Sequence, residues 1–122
     1  MLLIDSSGWI EFFTNGSRAN GYIKYLKDPQ NIVTPTIVLY EVYKKIRRDR
    51  TEEDALLAVS AINRTSIIEL SESIALLAAD LSLKYNLPMA DAIVYATALE
   101  KNCKVVTSDA HFKRLEKVIF IS

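Results

Sequence analysis

Short apolar runs alternate with amphipathic stretches along the whole chain. Five of the apolar runs are short, rich in Val and Ile, and bounded by polar or turn residues, which is typical of buried strands. The predicted strands cover Leu2–Asp5, Asn31–Thr34, Ser66–Leu70, Lys104–Thr107 and Val118–Ile121.

Six helical patterns occupy the segments between these strands. The predicted helices follow Ser6 and Ser7, lie near Arg18–Lys27, and cover Thr36–Arg48, Thr51–Ile62, Ser71–Tyr85 and Pro88–Lys101. Thr51 precedes three acidic residues, which is a favourable helix N-terminus, and Pro88 suits a first helical turn. Alternation of helices with continuously apolar strands predicts an α/β fold, in which helices cover both faces of a parallel sheet. In such folds ligands bind beyond the carboxyl ends of the strands, near the point where strand order reverses.

Length and composition favour one cytoplasmic domain over residues 1–122. The chain has 122 residues, of which 50% are hydrophobic, and this suits a compact globular domain. No apolar run reaches the roughly 18–20 residues that a membrane span requires, and the N-terminus lacks the features of a signal peptide. The lone cysteine, Cys103, agrees with a reducing compartment.

Charge is informative by location, because the formal net charge is zero. Strong attraction of nucleic acid by the whole molecule is therefore not expected. One basic cluster comprises Lys44, Lys45, Arg47, Arg48 and Arg50, and a looser one comprises Lys101, Lys104, Lys113, Arg114 and Lys117. Either cluster alone is typical of a solvated helix end. A role in binding phosphate would gain support if a cluster flanked a cleft.

Four carboxylates occupy positions at which a charge needs an explanation. Asp5 ends the first strand and Asp109 follows the fourth, so both are expected at the carboxyl edge of the sheet. Glu41 and Asp91 lie within strongly apolar helical segments. A buried carboxylate must be neutralised, paired or bound to metal. A cluster of such oxygen ligands suits Mg²⁺ or Mn²⁺, whereas a zinc site would be expected to include Cys or His ligands.

The residues alone leave other interpretations open. Asp5 and Asp109 also stand where helix caps are common, and a glutamate in a helix often pairs with a basic residue. Glu11, Glu69 and Asp80 also have apolar neighbours. Seven carboxylates are therefore candidates, and an acidic site is plausible without being defined.

Four short motifs in order resemble the PIN domain, and most closely the VapC-like toxins of toxin–antitoxin systems. They are Leu3-Ile4-Asp5-Ser6-Ser7, the helical Glu41, Leu87-Pro88-x-x-Asp91-Ala92, and Thr107-x-Asp109 followed by Phe112. The resemblance implies a three-layer α/β/α sandwich with a central, mostly parallel five-stranded sheet. It also implies an endoribonuclease that depends on Mg²⁺ or Mn²⁺.

The resemblance selects residues among the seven candidates. It assigns catalysis and metal binding to Asp5, Glu41, Asp91 and Asp109, and supporting hydroxyl groups to Ser7 and Thr107. Glu11, Glu69 and Asp80 match no family position and are expected to be surface or capping groups. Many relatives carry a further Asp where this chain has His111, its only histidine. We interpret His111 as a turn residue.

The resemblance further implies partners: an RNA substrate, a small antitoxin protein, and a second copy of the chain in a homodimer. Tyr40 and Tyr43 flank Glu41 and are candidates for lining either the cleft or a dimer interface.

Three alternatives to a toxin remain. A PIN ribonuclease of RNA processing or quality control would have the same acids, and gene neighbourhood would distinguish it. A non-catalytic RNA- or protein-binding module would have little reason to keep all four. A flavodoxin-like or response-regulator-like domain would need an acceptor Asp paired with a late Lys, and the sequence shows no such pair.

Overall fold

The computed structural model describes all 122 residues and contains five strands at the predicted places. Each strand lies within two residues of its predicted bounds. They are β1 (Leu2–Ile4), β2 (Ile32–Pro35), β3 (Ser66–Ile68), β4 (Lys104–Thr107) and β5 (Val118–Phe120).

Six α-helices connect the strands, again as predicted. They are α1 (Ser6–Phe13), α2 (Ala19–Leu26), α3 (Thr36–Asp49), α4 (Glu52–Ile62), α5 (Glu72–Tyr85) and α6 (Met89–Glu100). The Thr51 side chain accepts a hydrogen bond from Asp54 N at 3.0 Å, and this caps α4. Asn86, with a φ of 55°, ends α5 in the left-handed conformation that Asn tolerates well. No helix is long and apolar enough to span a membrane.

The sheet is fully parallel, with the strand order β3-β2-β1-β4-β5. The crossovers that carry α1 to α4 step from β1 towards β3, whereas α5 and α6 carry the chain back across the sheet to β4. Because parallel crossovers are right-handed, the two sets of helices cover opposite faces and form three layers. Strand order reverses between β1 and β4, where Ile4 is in register with Val106. The carboxyl ends of β1 and β4 therefore meet at the point where a ligand site is expected.

Burial follows position in the sheet. The central strands β1, β2 and β4 are largely buried, and α6 is buried over Val94–Ala98. The edge strands β3 and β5 are only partly buried, so the prediction of continuously buried strands holds for the centre of the sheet alone. Gly8 allows α1 to pack closely against the Tyr22 ring. A residue with a Cβ would not fit there, because that Cβ would lie 2.5 Å from the ring.

Candidate active site

Asp5 combines a structural role with a buried negative charge. It lies directly after β1 and is 3% exposed. One carboxylate oxygen accepts a hydrogen bond from Ser6 N at 2.8 Å and caps α1, as the capping interpretation predicts. The other oxygen accepts one from the Thr107 hydroxyl at 2.9 Å. A carboxylate has about four lone-pair positions, so these two contacts leave acceptor capacity for a further ligand.

Thr107 links the two strand ends. Its hydroxyl donates to Asp5 and also accepts a hydrogen bond from Asp109 N at 3.0 Å. The Ser7 hydroxyl lies 3.5 Å from the Thr107 hydroxyl, so the two hydroxyl groups that the resemblance assigns lie next to each other. Their assignment as supporting groups of a catalytic centre remains a prediction.

The hydroxyl network includes a tyrosine that sequence reasoning missed. The Tyr22 hydroxyl lies 3.2 Å from the Ser7 hydroxyl and donates to the Ser108 hydroxyl at 2.9 Å. Tyr22 is fully buried in α2. A buried phenol needs a polar partner, which was the available signal, but the sequence does not identify a partner 86 residues away.

Asp91 and Asp109 meet around His111. His111 Nδ1 lies 2.8 Å from an Asp91 oxygen and 3.1 Å from an Asp109 oxygen. One possible ligand atom from each of these three residues lies within 4.8 Å of the other two, which is compact enough for a shared metal ion. Asp109 also accepts a hydrogen bond from His111 N at 2.9 Å, which fixes the turn. His111 is therefore a turn residue, as interpreted, and its ring in addition contacts two carboxylates of the cluster.

Electrostatics joins the four carboxylates into one cluster. Burial raises the pKa of Asp5 to about 7, and the charges of Asp91 and Glu41 add to this rise. Burial also raises the pKa of Asp91 to about 6, and Asp109 repels the charge. The pKa of Glu41 is raised by burial and by Asp109, against the lowering effect of the Ser6 hydroxyl. Glu41, Asp91 and Asp109 thus each oppose the ionisation of at least one other carboxylate in the cluster.

This donor set fits a hard divalent cation. Four mutually repelling carboxylates with spare acceptor positions are stabilised by a cation among them. Oxygen ligands suit Mg²⁺ or Mn²⁺. The compact ligand group contains Asp91, Asp109 and one nitrogen donor, His111, and does not include Asp5 or Glu41. The three carboxylates that match no family position lie outside the cluster. Glu11 accepts from Arg18 N at 3.2 Å, while Glu69 and Asp80 are exposed.

Thr107→Val is expected to weaken metal binding by about 10–100-fold, as losses of supporting hydrogen bonds to ligands typically do. The change removes the hydroxyl that donates a hydrogen bond to Asp5, and it leaves the backbone N–H of Asp109 without its hydrogen-bond acceptor. Calorimetric titration of Mn²⁺ measures the effect. Thr97→Val is the matched control, because the buried Thr97 hydroxyl donates only to Ile93 O within its own helix. Equal affinities of the two variants would contradict a role for Thr107.

Comparison with known proteins gives one family and several related folds. The model of the PIN domain family matches residues 2–118. Comparison with curated protein sequences gives no match. Among solved structures, a toxin–antitoxin complex from Klebsiella pneumoniae contains a chain with 23% identity and a TM-score of 0.85, covering 100% of this chain and 98% of that one.

Two further structures share the fold. VapC20 of Mycobacterium tuberculosis, a sarcin–ricin loop cleaving toxin, has 18% identity and a TM-score of 0.72, with 85% of each chain covered. VapBC2 from Rickettsia felis, bound to a DNA fragment from its promoter, has 17% identity and a TM-score of 0.74, covering 98% of this chain and 96% of that one. These similarities support the fold predicted from the motifs. Because the family model matches nearly the whole of this chain, the chain belongs to the PIN domain family.

Proposed function

We propose that this protein is a metal-dependent endoribonuclease that hydrolyses RNA phosphodiester bonds, and that it is the toxin of a type II toxin–antitoxin pair. The observation that carries the proposal is the cluster of Asp5, Glu41, Asp91 and Asp109, in which burial and mutual repulsion raise three carboxyl pKa values. A protein that only packed its core would not gain from this arrangement, because each buried charge destabilises the fold.

In the proposed mechanism Asp5, Asp91 and Asp109 would hold Mg²⁺ or Mn²⁺. When bound, the metal lowers the pKa of a water molecule and balances negative charge on the phosphate. Glu41 completes the cluster and orients the attacking water. The water oxygen loses a proton to solvent and forms a bond to phosphorus, one ester P–O bond breaks, and the leaving oxygen takes a proton from solvent. Ser7 and Thr107 keep the Asp5 carboxylate in position through the hydroxyl network.

RNA as the substrate and toxicity as the role rest on family membership and on the relatives. A structural relative is a sarcin–ricin loop cleaving toxin, and others are toxin–antitoxin complexes. The proposed partners are an RNA substrate, a small antitoxin and a second copy of the chain. Exposed apolar side chains offer surface for the two proteins, namely Leu56, Leu57, Leu76, Leu83 and Met89. A PIN ribonuclease of RNA processing is the second candidate, since it would use the same acids.

The test is cleavage of a panel of structured RNAs by the purified protein, freed of any bound partner, with Mg²⁺, with Mn²⁺ and with EDTA. The proposal predicts discrete cuts with either metal and none with EDTA. Undiminished cutting in EDTA would overturn the metal mechanism. No cutting of any RNA by folded, metal-loaded protein would instead favour a binding module. Growth arrest on expression, relieved by the neighbouring antitoxin gene, distinguishes a toxin from a processing nuclease.

His111→Asp is expected to tighten Mg²⁺ binding by about tenfold, because it adds an oxygen ligand and a negative charge at the cluster. His111 is 55% exposed at the side chain, so the substitution should be accommodated without repacking. Calorimetric titration of Mg²⁺ into the variant, with His111→Asn as the uncharged control, measures the change. If the two variants bind Mg²⁺ equally well, a carboxylate at position 111 has no part in the metal site.

A further inference from the structure

A polar cleft opens beside the acidic cluster and shares Glu41 with it. Its volume is about 290 Å³, and one wall is a single face of α3. The lining residues are Ser6, Ile10, Tyr40, Glu41, Lys44, Lys45 and Arg48. Three of the five residues of the first basic cluster, Lys44, Lys45 and Arg48, therefore line a cleft, which is the condition under which a role in binding phosphate gains support.

Tyr40 is an aromatic side chain held out into solvent. It is 56% exposed, although a tyrosine beside an apolar helix face usually packs inward. Lys44 Nζ donates to the Tyr40 hydroxyl at 3.2 Å and lies 5.4 Å from the ring centroid. An exposed ring can accept a stacked base without any rearrangement of the core.

The cations along this face differ in how far they are neutralised. Lys45 and Arg48 both pair with Asp49, each at 2.8 Å. Lys44 has no carboxylate within ion-pair distance. Lys44 is therefore the positive charge most available to an incoming anion, and Asp49 restrains the other two.

We propose that this face of α3 is the substrate-binding track of the nuclease, on which a base of single-stranded RNA stacks on Tyr40 while Lys44 binds an adjacent phosphate. The inference rests on the proposed ribonuclease function, because Glu41 joins the track to the acidic cluster. Stacking on an exposed aromatic ring requires an unpaired base, whereas duplex bases are already stacked on one another. The track thus selects single-stranded segments such as loops.

Binding of a fluorescently labelled single-stranded RNA 12-mer, followed by anisotropy, tests the proposal. The Asp5→Asn background with Mg²⁺ prevents cutting during the measurement. Tyr40→Ala should weaken binding about tenfold, whereas Tyr40→Phe should leave it nearly unchanged because the ring remains. Neither change should alter binding of a matched RNA duplex by more than about twofold, since paired bases do not reach the ring.

The charge arm of the test uses the salt dependence of binding. Lys44→Ala should lower the slope of log K against log salt by roughly 0.7, the value for one phosphate contact on a single strand. Asp49→Asn should steepen the slope and tighten binding, because it releases Lys45 and Arg48. The matched controls are Lys84→Ala and Tyr85→Ala, a second lysine–tyrosine pair with Nζ 5.2 Å from the ring centroid, which lies on α5. Each control should bind RNA as the background protein does.

The outcomes separate this proposal from the nuclease function itself. If the native protein cuts RNA with metal but Tyr40→Ala and Lys44→Ala bind RNA no worse than the controls, the track is wrong and the nuclease stands. If the two changes weaken RNA binding but the native protein never cuts, the track stands and the hydrolysis fails. If Tyr40→Ala and Lys44→Ala lose binding to a poly-glutamate peptide but keep RNA binding, the cleft is a protein-binding site and the proposal is overturned.

Discussion

Asp5→Asn is expected to abolish RNA cleavage and, at the same time, to stabilise the metal-free protein. The rate should fall by about 10³-fold or more, because the change removes the central charged ligand of the proposed metal site. At pH values above 7 the Asp5→Asn protein should be more stable than the native protein, because burial opposes ionisation of Asp5 and the amide carries no charge. Cleavage rates and thermal melts at pH 8 in EDTA measure the two effects.

Opposite changes in activity and stability distinguish a functional charge from a structural one. Asp80→Asn is the matched control, since Asp80 is exposed and lies outside the cluster. It should change neither quantity appreciably. An Asp5→Asn protein that cuts RNA at the native rate would remove Asp5 from the mechanism. One that melts far below the native protein at pH 8 would show that the Asp5 charge serves the fold.

The metal-free protein is expected to lose stability as pH rises from about 4 to 7. The folded-state pKa of Asp5 is about 7 and that of Asp91 about 6, and both lie above the ordinary value of 3.8. Between the unfolded and folded pKa values the folded state binds more protons than the unfolded state, so stability falls with increasing pH. At pH 8, about one unit above the folded-state pKa of Asp5, both groups are largely ionised in both states, and the loss is nearly complete. The midpoint of thermal unfolding should drop by on the order of 10 °C between pH 5 and pH 8.

Added metal should reverse this loss, because a cation binds the ionised carboxylates of the folded state and stabilises it in proportion to occupancy. Thermal unfolding in EDTA, and with saturating Mn²⁺, at pH 5 and pH 8 makes the comparison. The shift produced by Mn²⁺ should be larger at pH 8, where protons no longer compete. The Asp5→Asn protein serves as control and should show a smaller drop with pH. A stability that rises with pH in EDTA would contradict the raised pKa values.

The fold was largely predictable because its signals are local. Strand and helix bounds follow from the spacing of apolar residues, and caps such as Thr51 and Asn86 fix helix ends through contacts within a few positions. The site was predictable in part for a related reason. Asp5 and Asp109 follow strands that turned out to be neighbours, so the sheet itself brings them together.

The rest of the site depends on contacts that sequence spacing does not encode. Periodicity could not separate Glu41 and Asp91 from Glu69 and Asp80, because all have apolar neighbours, and the choice among them came from resemblance to the family. The Tyr22 hydroxyl reaches Ser7 and Ser108 because α2 packs against α1, which begins at the carboxyl end of β1. The contact of the His111 ring with Asp91 likewise joins α6 to the turn after β4. Such pairings are set by tertiary packing.

A titration of Mn²⁺ into EDTA-treated protein tests the proposed metal centre directly. Calorimetric binding and the initial rate of RNA cleavage are recorded over the same Mn²⁺ concentrations. The account predicts that cleavage begins from zero and reaches half its maximum at the concentration that half-fills the site, and that Asp5→Asn shows neither process. Full cleavage before any Mn²⁺ binds, or native binding of Mn²⁺ by Asp5→Asn, would contradict a metal centre built on these four carboxylates.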